Sequence, residues 1–544
     1  MSSATSLAEK SQMESRVALS SDQHRSDYRV VVVGHGPAGV IAASLLGDRH
    51  IRTLAIDRQR NVYDKPRAIA IDHEILRLLD NLGAAERVLP YIAPFPASQH
   101  FGARGQLIRR IDMVPEPYPL GYTPSMVFTQ PPVEAALREH AAAYQCVEVE
   151  LGTELLGFEQ SPDRVTLHLR DDRHATRSVT ADYMIACDGA SSGTRQQLGI
   201  AFEDLGFDEP WLVIDLQVNE AALGKLPETA AQFCEPSRPT SFIIGPGNHR
   251  RFEIMLLQGE NAREMEAPAQ VWRLLTRWIT PDDATLWRAA SYRFHALVAR
   301  EWRRGRVFLA GDAAHQQPPF IGQGMCQGIR DVGNLVWKLD RVLAGHSGAR
   351  LLDTYGEERL DHVRQLTSRI KAIGHVICER DPVAADARDI RILNEGGGHP
   401  RTFTRQEIVP PLQKGLLAFP LHPAHGTLFP QPWIRTEVGR RLLDSASGTG
   451  WRLVLDGRNA PDLPPDVLVD LTRLDMRLIR VSSAGAADRA GQDAVVEEDG
   501  VLAAWFDRHG CRAAIVRPDH YVFGVASDQG ALGKMLCELA TRLQ

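Results

Sequence analysis

The chain has 544 residues, a formal net charge of −6, and 44% hydrophobic and 24% charged residues. This length is too great for one compact core, so two or three domains are expected. The charge provides no basic surface for nucleic acid, and no apolar run approaches the ~20 residues that span a membrane. The seven cysteines are scattered, with no Cys-x-x-Cys pair. This argues against disulfides, a metal site or a dithiol centre, and favours a cytoplasmic location.

The N-terminal part of the chain carries a nucleotide-binding pattern. A polar, serine-rich lead (1–27) is expected to be disordered, and the apolar run Tyr28–Val33 predicts a buried parallel strand. A G-x-G-x-x-G motif, an apolar helix and a second strand ending in an acid follow, which is the order of a dinucleotide-binding βαβ unit. Both NAD and FAD suit this unit. The candidate cofactor-binding residues here are Gly34, Gly36, Pro37, Ala38, Gly39, Asp57 and Arg58.

Two polar residues in the next segments are also candidates. Arg67 lies in a loop entering a predicted helix, where a ligand contact and a surface salt bridge are the alternatives. Gln130 opens a second predicted helix. The segment 147–169 has a strand-like pattern and predicts an antiparallel ribbon.

A further parallel strand, 181–187, ends at Asp188 and Gly189. Ligands of open α/β sheets collect at such strand ends. Ser191 and Arg195 are the neighbouring candidates, and for Arg195 a structural salt bridge is the alternative.

Residues 202–294 contain segments of alternating apolar and polar residues, which predict a mostly antiparallel sheet. Such a sheet can wall an apolar substrate pocket. Arg250 and Arg251 are candidates to meet a substrate carboxylate, but adjacent residues on a strand point to opposite faces, so at most one can face the pocket. The weaker candidates for a base are His73, His249 and His295.

The stretch from Gly311 to Asp331 lies between a predicted buried strand and a predicted helix, 329–343. It contains an acid, a histidine, two prolines and two closely spaced glycines. Free backbone N–H groups and the helix dipole in such a loop suit a polar, partly anionic ligand. The candidates are Gly311, Asp312, His315, Pro319, Gly322, Gly324, Met325 and Cys326.

Three motifs together resemble the flavin-dependent class A aromatic hydroxylases of the p-hydroxybenzoate hydroxylase type. They are PRAIAIDHEILRLLDNLG, ACDGASSGTRQQLGI and GDAAH, and the resemblance covers Tyr28 to His362. Within that family the chain is most similar to the 3-(3-hydroxyphenyl)propionate hydroxylases, through FTQPPVEAAL, RRFEIMLL and a C-terminal extension.

The resemblance implies a Rossmann-like FAD-binding domain, an inserted, mostly antiparallel sheet domain for the substrate, and a thioredoxin-like α/β domain at the C-terminus. A homodimer is compatible with the C-terminal domain, and neither a membrane nor a nucleic acid is expected as partner. The expected divisions are a disordered lead (1–27), the FAD-binding domain (28–200 and 301–383), the substrate domain (201–300), an irregular linker (384–437) and the C-terminal domain (438–544).

The resemblance also implies residue roles around FAD. Arg67 and Asp188 would contact the pyrophosphate, and Gln130 and Asp312 the ribityl chain. The carbonyl of Pro319 would face the substrate. The N–H groups of Met325 and Cys326 would stabilise negative charge at flavin N1 and O2. Position 326 is more often asparagine in the family, so this chain lacks an amide side chain there.

The implied reaction consumes NADH or NADPH and O2. Reduced FAD forms a C4a-hydroperoxide, and a phenol of the 3-hydroxyphenylpropionate type attacks its distal oxygen. His315 either relays the phenolic proton or orders the loop, and we favour the second interpretation.

Three alternatives remain open from the sequence. An NAD-dependent dehydrogenase would share the βαβ unit, but would leave the motifs at Asp188 and Asp312 without a role. A related flavoprotein acting on a bulkier polyketide, quinone or nitrogen heterocycle would carry the same FAD motifs. In a non-enzymatic protein, the C-terminal domain would bind a partner.

Overall fold

The computed structural model describes residues 26–95, 97–436, 439–460, 463, 465–483 and 494–544. Most of the predicted disordered lead, 1–25, lies outside the described residues. The α-helices are Pro37–Asp48, His73–Asn81, Ala85–Val88, Gln130–Ala142, Gly193–Gln197, Ala262–Met265, Pro268–Leu275, Gly324–Leu343, Asp353–Cys378, Pro382–Glu395, Leu443–Ser447, Pro465–Arg473, Val501–His509 and Gln529–Leu543. Short 3₁₀ turns are Leu89–Tyr91, Glu220–Lys225, Gly311–Ala313, Ala349–Leu352 and Arg405–Ile408.

The nucleotide-binding domain is built on a mainly parallel sheet. Its strand order is Arg303–Arg304, Val307–Leu309, Thr176–Ala186, Tyr28–Val33, Thr53–Asp57 and Val147–Leu151, and Glu154–Gln160 and Val165–Arg170 extend it from Thr176–Ala186. Tyr28–Val33 is apolar and almost fully buried, as expected for a strand covered on both faces. Helix Pro37–Asp48 packs against helix Gly324–Leu343. This packing brings the G-x-G-x-x-G motif close to the stretch from Gly311 to Asp331.

The second sheet extends beyond the predicted substrate domain, and we call it the substrate sheet after that expected role. Its strand order is His315–Gln316, Ala284–Ala299, Phe202–Val218, His249–Met255, Thr240–Ile244, Ala230–Phe233, Ser98–Phe101, Leu107–Asp112 and Arg401–Thr404. Its core strands are antiparallel, as predicted. Strands from residues 98–112 and 401–404 also join it, through parallel pairings such as Ala231 with Gln99. The sheet therefore draws on three parts of the chain.

The remaining sheets complete the architecture. A small one has the order Ala70–Asp72, Ser125–Phe128 and Ile92–Pro94. The C-terminal one has the order Gly439–Leu442, Trp433–Thr436, Ala494–Glu497, Met476–Ser483, Trp451–Asp456, Ala513–Val516 and Val522–Ala526. Within the described ranges, no helix is long and apolar enough to cross a membrane, and no group of His, Cys, Asp and Glu side chains is arranged to hold a metal ion.

Two local predictions were wrong. Val147–Leu151 is not an arm of the ribbon; it pairs in parallel with Thr53–Asp57 as the outer strand of the sheet. An outer strand with one exposed face alternates as a ribbon strand does, so the pattern did not separate the two. The predicted irregular linker, 384–437, contains helix Pro382–Glu395, which Asp381 caps by accepting from the N–H of Ala384 at 2.7 Å.

Candidate active site

A cleft of about 1240 Å³ lies at the carboxyl ends of the parallel strands. Gly34, Asp57 and Asp188 follow three neighbouring strands and all line it. Gly36, Gly189, Arg58 and Arg67 also line the cleft. The G-x-G-x-x-G motif and the motif at Asp188 and Gly189 therefore line the same cleft.

Each of the three glycines of the motif is required for a different structural reason. Gly34 has φ +94, and a Cβ there would lie 2.3 Å from the carbonyl oxygen of Cys187. A Cβ on Gly39 would lie 1.8 Å from the carbonyl oxygen of Gly34. Gly34 and Gly39 thus allow the tight turn and the strand–helix packing. A Cβ on Gly36 would meet nothing within 4 Å, so this glycine leaves the helix N-terminus open toward the cleft.

Two carboxylates mark the ends of strands in the cleft. Asp57 accepts from the backbone N–H groups of His35 and Gln59, both at 2.7 Å. Asp188 accepts from the N–H of Thr194 at 3.0 Å through one oxygen, while its other oxygen is buried with no partner among the described residues. A buried acceptor without a partner is uncommon in folded proteins. It is available to a ligand hydroxyl or amide.

Gln130 and Arg195 have structural contacts. Gln130 is buried and accepts from the N–H groups of Arg67 and Ala68, at 2.9 and 2.6 Å. It therefore fixes the loop that carries Arg67. Arg195 lies over the ring of Phe202 at 4.0 Å and donates to a backbone carbonyl. This geometry favours the structural interpretation of Arg195.

His315 belongs to a packed network behind the loop. Its Nε2 lies 2.8 Å from Asp331, which also accepts from Arg359 at 2.9 Å and from the N–H of Gly311 at 2.9 Å. Its ring stacks on Trp302, with centroids 5.4 Å apart. His315 is buried and does not line the cavity that Pro319 and Met325 line. This geometry favours a loop-ordering role over a proton relay.

The helix after the loop begins at Gly324, five residues earlier than predicted. Its preceding residue, Gln323, makes no side-chain cap, so the N–H groups of the first turn have no intrahelical partner. Met325 lines the neighbouring cavity, as do Gly322 and Gly324. The backbone N–H groups of Gly324 and Met325 are available to negative charge there, whereas the N–H of Gly322 donates to the carbonyl of Pro319 at 2.7 Å.

Cys326 does not line this cavity. Its thiol is fully buried and lies 3.8 Å from the carbonyl oxygen of Ala70. Burial raises the pKa of the Cys326 thiol, so it remains neutral. A reactive-cysteine role has no support from this environment.

A second, smaller cavity of about 170 Å³ lies between the loop and the substrate sheet. Pro319, Gly322 and Met325 form the loop side of it, and Arg67 lines both this cavity and the cleft. The sheet side is mostly apolar with a few polar groups. These polar side chains are Ser98, Gln232, Arg251, Glu253 and, from a separate segment, Arg405.

Of the adjacent arginines, Arg251 faces the cavity and Arg250 does not line it. Arg251 is paired with Asp215 at 2.7 Å and donates to the carbonyls of Pro66 and Arg67. Arg250 donates to the carbonyl of Gly247. The expectation that at most one of the pair can face the pocket matches this arrangement.

Sequence reasoning missed two cavity residues, Glu253 and Arg405. Glu253 lies between two apolar residues of RRFEIMLL, and an acid inside an apolar strand was the available signal. Arg405 had no signal, because the segment that contains it was interpreted as a linker. The histidines considered as bases lie elsewhere: His249 is paired with Asp215 at 2.8 Å, and His295 lies 3.3 Å from Asp208.

The cleft fits FAD in its donors and its shape. The glycine turn and the helix N-terminus suit a pyrophosphate. The Asp57 carboxylate suits ribose hydroxyls, and Asp188 has an unused buried oxygen. The cavity beside Met325 continues the cleft past Arg67.

Comparisons with known proteins agree with this arrangement. The family described as FAD binding domain matches residues 27–370, and the family described as HcaD C-terminal domain matches residues 426–541. A probable NADH-specific resorcinol 4-hydroxylase of Rhodococcus jostii is 36% identical over 94% of each chain. A 3-(3-hydroxy-phenyl)propionate/3-hydroxycinnamic acid hydroxylase of Mycolicibacterium gilvum is 33% identical over 93% of this chain and 90% of that one.

Solved structures share the whole fold. The flavin-dependent monooxygenase PieE superposes with a TM-score of 0.78 at 21% identity, covering 95% of this chain and 100% of that one. Aklavinone-11 hydroxylase superposes with a TM-score of 0.77 at 22% identity, covering 95% and 99%. The dehydrogenase and non-enzymatic alternatives are thereby set aside. The chain belongs to the FAD-dependent class A aromatic hydroxylases, which take their electrons from a nicotinamide.

Proposed function

We propose that this enzyme hydroxylates a single-ring phenol with an anionic side chain, of the 3-(3-hydroxyphenyl)propionate type. One atom of O2 enters a ring C–H bond, the other leaves as water, and the nicotinamide supplies two electrons. FAD, when bound, accepts these electrons and activates O2. The cavity of about 170 Å³ is smaller than the ~300–1,000 Å³ typical of drug-sized ligands, which favours one ring over a polyketide.

The single observation that carries the side-chain assignment is the environment of Arg405. Its guanidinium is buried, lies 5.3 Å from the ring centroid of Phe95, and donates to the carbonyl of Ile321. Its Nε has no partner, and it forms no ion pair with any described residue. The charge of Asp72 acts on Arg405, but no carboxylate of the described residues contacts the guanidinium. A buried guanidinium without a bonded counter-ion is unfavourable, so a substrate carboxylate would complete it. Arg405 also lines an adjacent cavity of about 260 Å³, which leaves room for a side chain.

The residues around the cofactor have distinct tasks in this proposal. Gly34, Gly36 and Asp57 hold the adenosine and pyrophosphate end, with Arg67 and Asp188 closing the cleft. Asp312 lies exposed in the 3₁₀ turn Gly311–Ala313, which follows strand Val307–Leu309, and binds the ribityl hydroxyls. The first-turn N–H groups at Met325 and Cys326 stabilise negative charge on the reduced ring. Pro319 lines the substrate cavity; its carbonyl accepts from the N–H of Gly322 at 2.7 Å and has a second lone pair for the substrate.

Resorcinol is the second candidate substrate. The observation in its favour is the 36% identity to a protein named as an NADH-specific resorcinol 4-hydroxylase. We infer from the same name that NADH is the reductant. The cavity accommodates either ring. Resorcinol has no carboxylate, so an effect of Arg405 on binding distinguishes the two candidate substrates.

Substitution of Arg405 by glutamine is expected to raise KM for 3-(3-hydroxyphenyl)propionate about 10- to 100-fold, because a hydrogen bond to a charged group contributes about 1.5–3 kcal/mol. The KM for resorcinol should change little. Coupled product formation and NADH oxidation are measured with both phenols. Arg401→Gln, on an exposed arginine near by, is the matched control. An equal loss for both phenols would contradict the role of Arg405, and hydroxylation of resorcinol alone would favour the second candidate.

Substitution of Asp312 by alanine is expected to weaken FAD binding about 10- to 100-fold, since the ribityl hydroxyls lose a charged acceptor. The flavin content of the purified protein and an FAD titration of the apoprotein measure this effect. Full flavin content with unchanged affinity would show that Asp312 does not hold the cofactor.

A further inference from the structure

Glu253 is a buried acid without a partner on the wall of the substrate cavity. It lies in strand His249–Met255, is only 5% exposed, and lines the cavity opposite Pro319 and Met325. Its carboxyl group forms no hydrogen bond or ion pair with any residue that the structure describes. Buried polar groups are nearly always satisfied, so a carboxyl left open toward a cavity points to a ligand.

The neighbours of Glu253 are already engaged. Arg251, two residues earlier on the same face, is bound to Asp215 and to two backbone carbonyls. Ser241, opposite Glu253 on the next strand, donates to Gln232. The carboxyl of Glu253 is therefore not held by the sheet around it.

We propose that Glu253 is the catalytic base that accepts the phenolic proton of the substrate. The O–H bond of the phenol breaks, its electron pair stays on the phenolate oxygen, and the proton bonds to a carboxylate oxygen of Glu253. The electron-rich phenolate ring is then the nucleophile toward activated oxygen. When the hydroxylated ring regains aromaticity, the C–H bond at the oxygenated carbon breaks, its electron pair returns to the ring and its proton passes to water. Glu253 then returns its own proton to the phenolate oxygen. This inference rests on the proposed phenol hydroxylation.

The charged surroundings suit this task. The pKa of Glu253 is raised to about 7, and burial is the largest cause of the rise. Arg251 and Arg288 oppose the rise, and the negative charge of Asp215 adds to it. The guanidinium groups of Arg67 and Arg405 also line the cavity. The pKa of a phenol is about 10, and a catalytic base is most effective when its own pKa lies near the working pH.

No other group in the cavity offers this chemistry. His315 is paired with Asp331 behind the loop, and His249 is paired with Asp215. His73 lines the adjacent cavity, and burial lowers its pKa to about 4. Glu253 is the one carboxyl group among the described residues that line the substrate cavity.

Substitution of Glu253 by glutamine keeps the shape of the side chain and removes the base. Hydroxylation of the best phenol is expected to slow about 10²- to 10⁴-fold, with flavin content and substrate binding retained. Glu209→Gln is the matched control. Glu209 is a half-buried acid of the substrate sheet, and burial raises its pKa as it does that of Glu253, but Glu209 does not line the cavity. A Glu253→Gln enzyme with activity near that of the wild type would overturn the proposal.

The pH profile gives a readout that a structural role would not move. In the wild type, kcat/KM should rise as the pH increases through about 7, because only the deprotonated carboxylate accepts a proton. The Glu253→Gln enzyme should lack this rise. A nitro- or fluoro-substituted phenol that is already ionised at the assay pH should recover most of the lost rate.

The possible failures are distinguishable. If the wild type hydroxylates no phenol, the proposed function fails and the assignment of Glu253 fails with it. If the wild type is active but the pre-ionised phenol does not rescue Glu253→Gln, only the assignment of Glu253 is wrong. If Glu253→Gln does not hold FAD, the pH dependence of wild-type kcat/KM is measured with two phenols of different pKa to test the role of Glu253. A rise that moves with the pKa of the phenol would refute a protein base at Glu253.

Discussion

Substitution of Gly36 by alanine should deplete the protein of FAD while leaving its fold intact. The added methyl group meets no protein atom within 4 Å, and the φ of −77° is one that alanine adopts readily. The methyl group would instead lie at the open helix N-terminus, where we propose that the pyrophosphate binds. Overpacking of this kind costs about 1–3 kcal/mol, so FAD affinity should fall about 10- to 100-fold.

Two further glycine variants make this experiment specific. Gly533→Ala also adds a methyl group with no atom within 4 Å, but in the C-terminal helix, and should retain its flavin. Gly39→Ala would force a contact of 1.8 Å with the backbone and should destabilise the apoprotein itself. The measurements are flavin content, FAD titration and the Tm of each apoprotein. A Gly36→Ala protein with full affinity would show that the pyrophosphate does not lie at this turn.

The nucleotide-binding domain could be predicted from the sequence because its signals are local. The strand Tyr28–Val33 and the glycine motif lie within a short segment, and neighbouring parallel strands bring their ends together by topology alone. The start of the later helix was missed because its first turn, Gly324 to Gly328, has two glycines and no capping residue. The apolar periodicity begins only at Ile329.

The substrate cavity could not be predicted in the same way. Its wall combines one face of a sheet with strands that pair over long sequence distances, such as Arg401 with Arg109. Whether Arg405 or Glu253 is buried and unpaired depends on neighbours from remote segments, which periodicity does not report. Arg251 shows the contrast. Strand alternation predicts that at most one of Arg250 and Arg251 faces the pocket, but it predicts neither which one does nor the pairing of Arg251 with Asp215.

Substitution of Asp444 by alanine should destabilise the folded protein by about 3–5 kcal/mol, since one partner of a buried ion pair is removed. Asp444 is fully buried and accepts from Arg77 at 2.6 and 2.9 Å and from Arg452 at 2.7 Å. Arg77 belongs to the nucleotide-binding domain, so the cluster joins that domain to the C-terminal one. Without the carboxylate, two guanidinium groups remain buried with no counter-charge between them.

The comparison with an exposed pair and the effect of pH complete the argument for Asp444. Asp208→Ala removes an exposed partner of Arg293 and should cost only about 0–1 kcal/mol. Burial alone would raise the pKa of Asp444, but Arg77, His520 and Arg452 hold it well below its usual range. Its contribution is therefore complete above the unfolded pKa of about 3.9 and declines as the pH falls below that value. Denaturant unfolding should show a difference in the free energy of unfolding between wild type and Asp444→Ala. This difference should be constant near neutral pH and become smaller in acid. A small difference at neutral pH would mean that the cluster does not stabilise the interface.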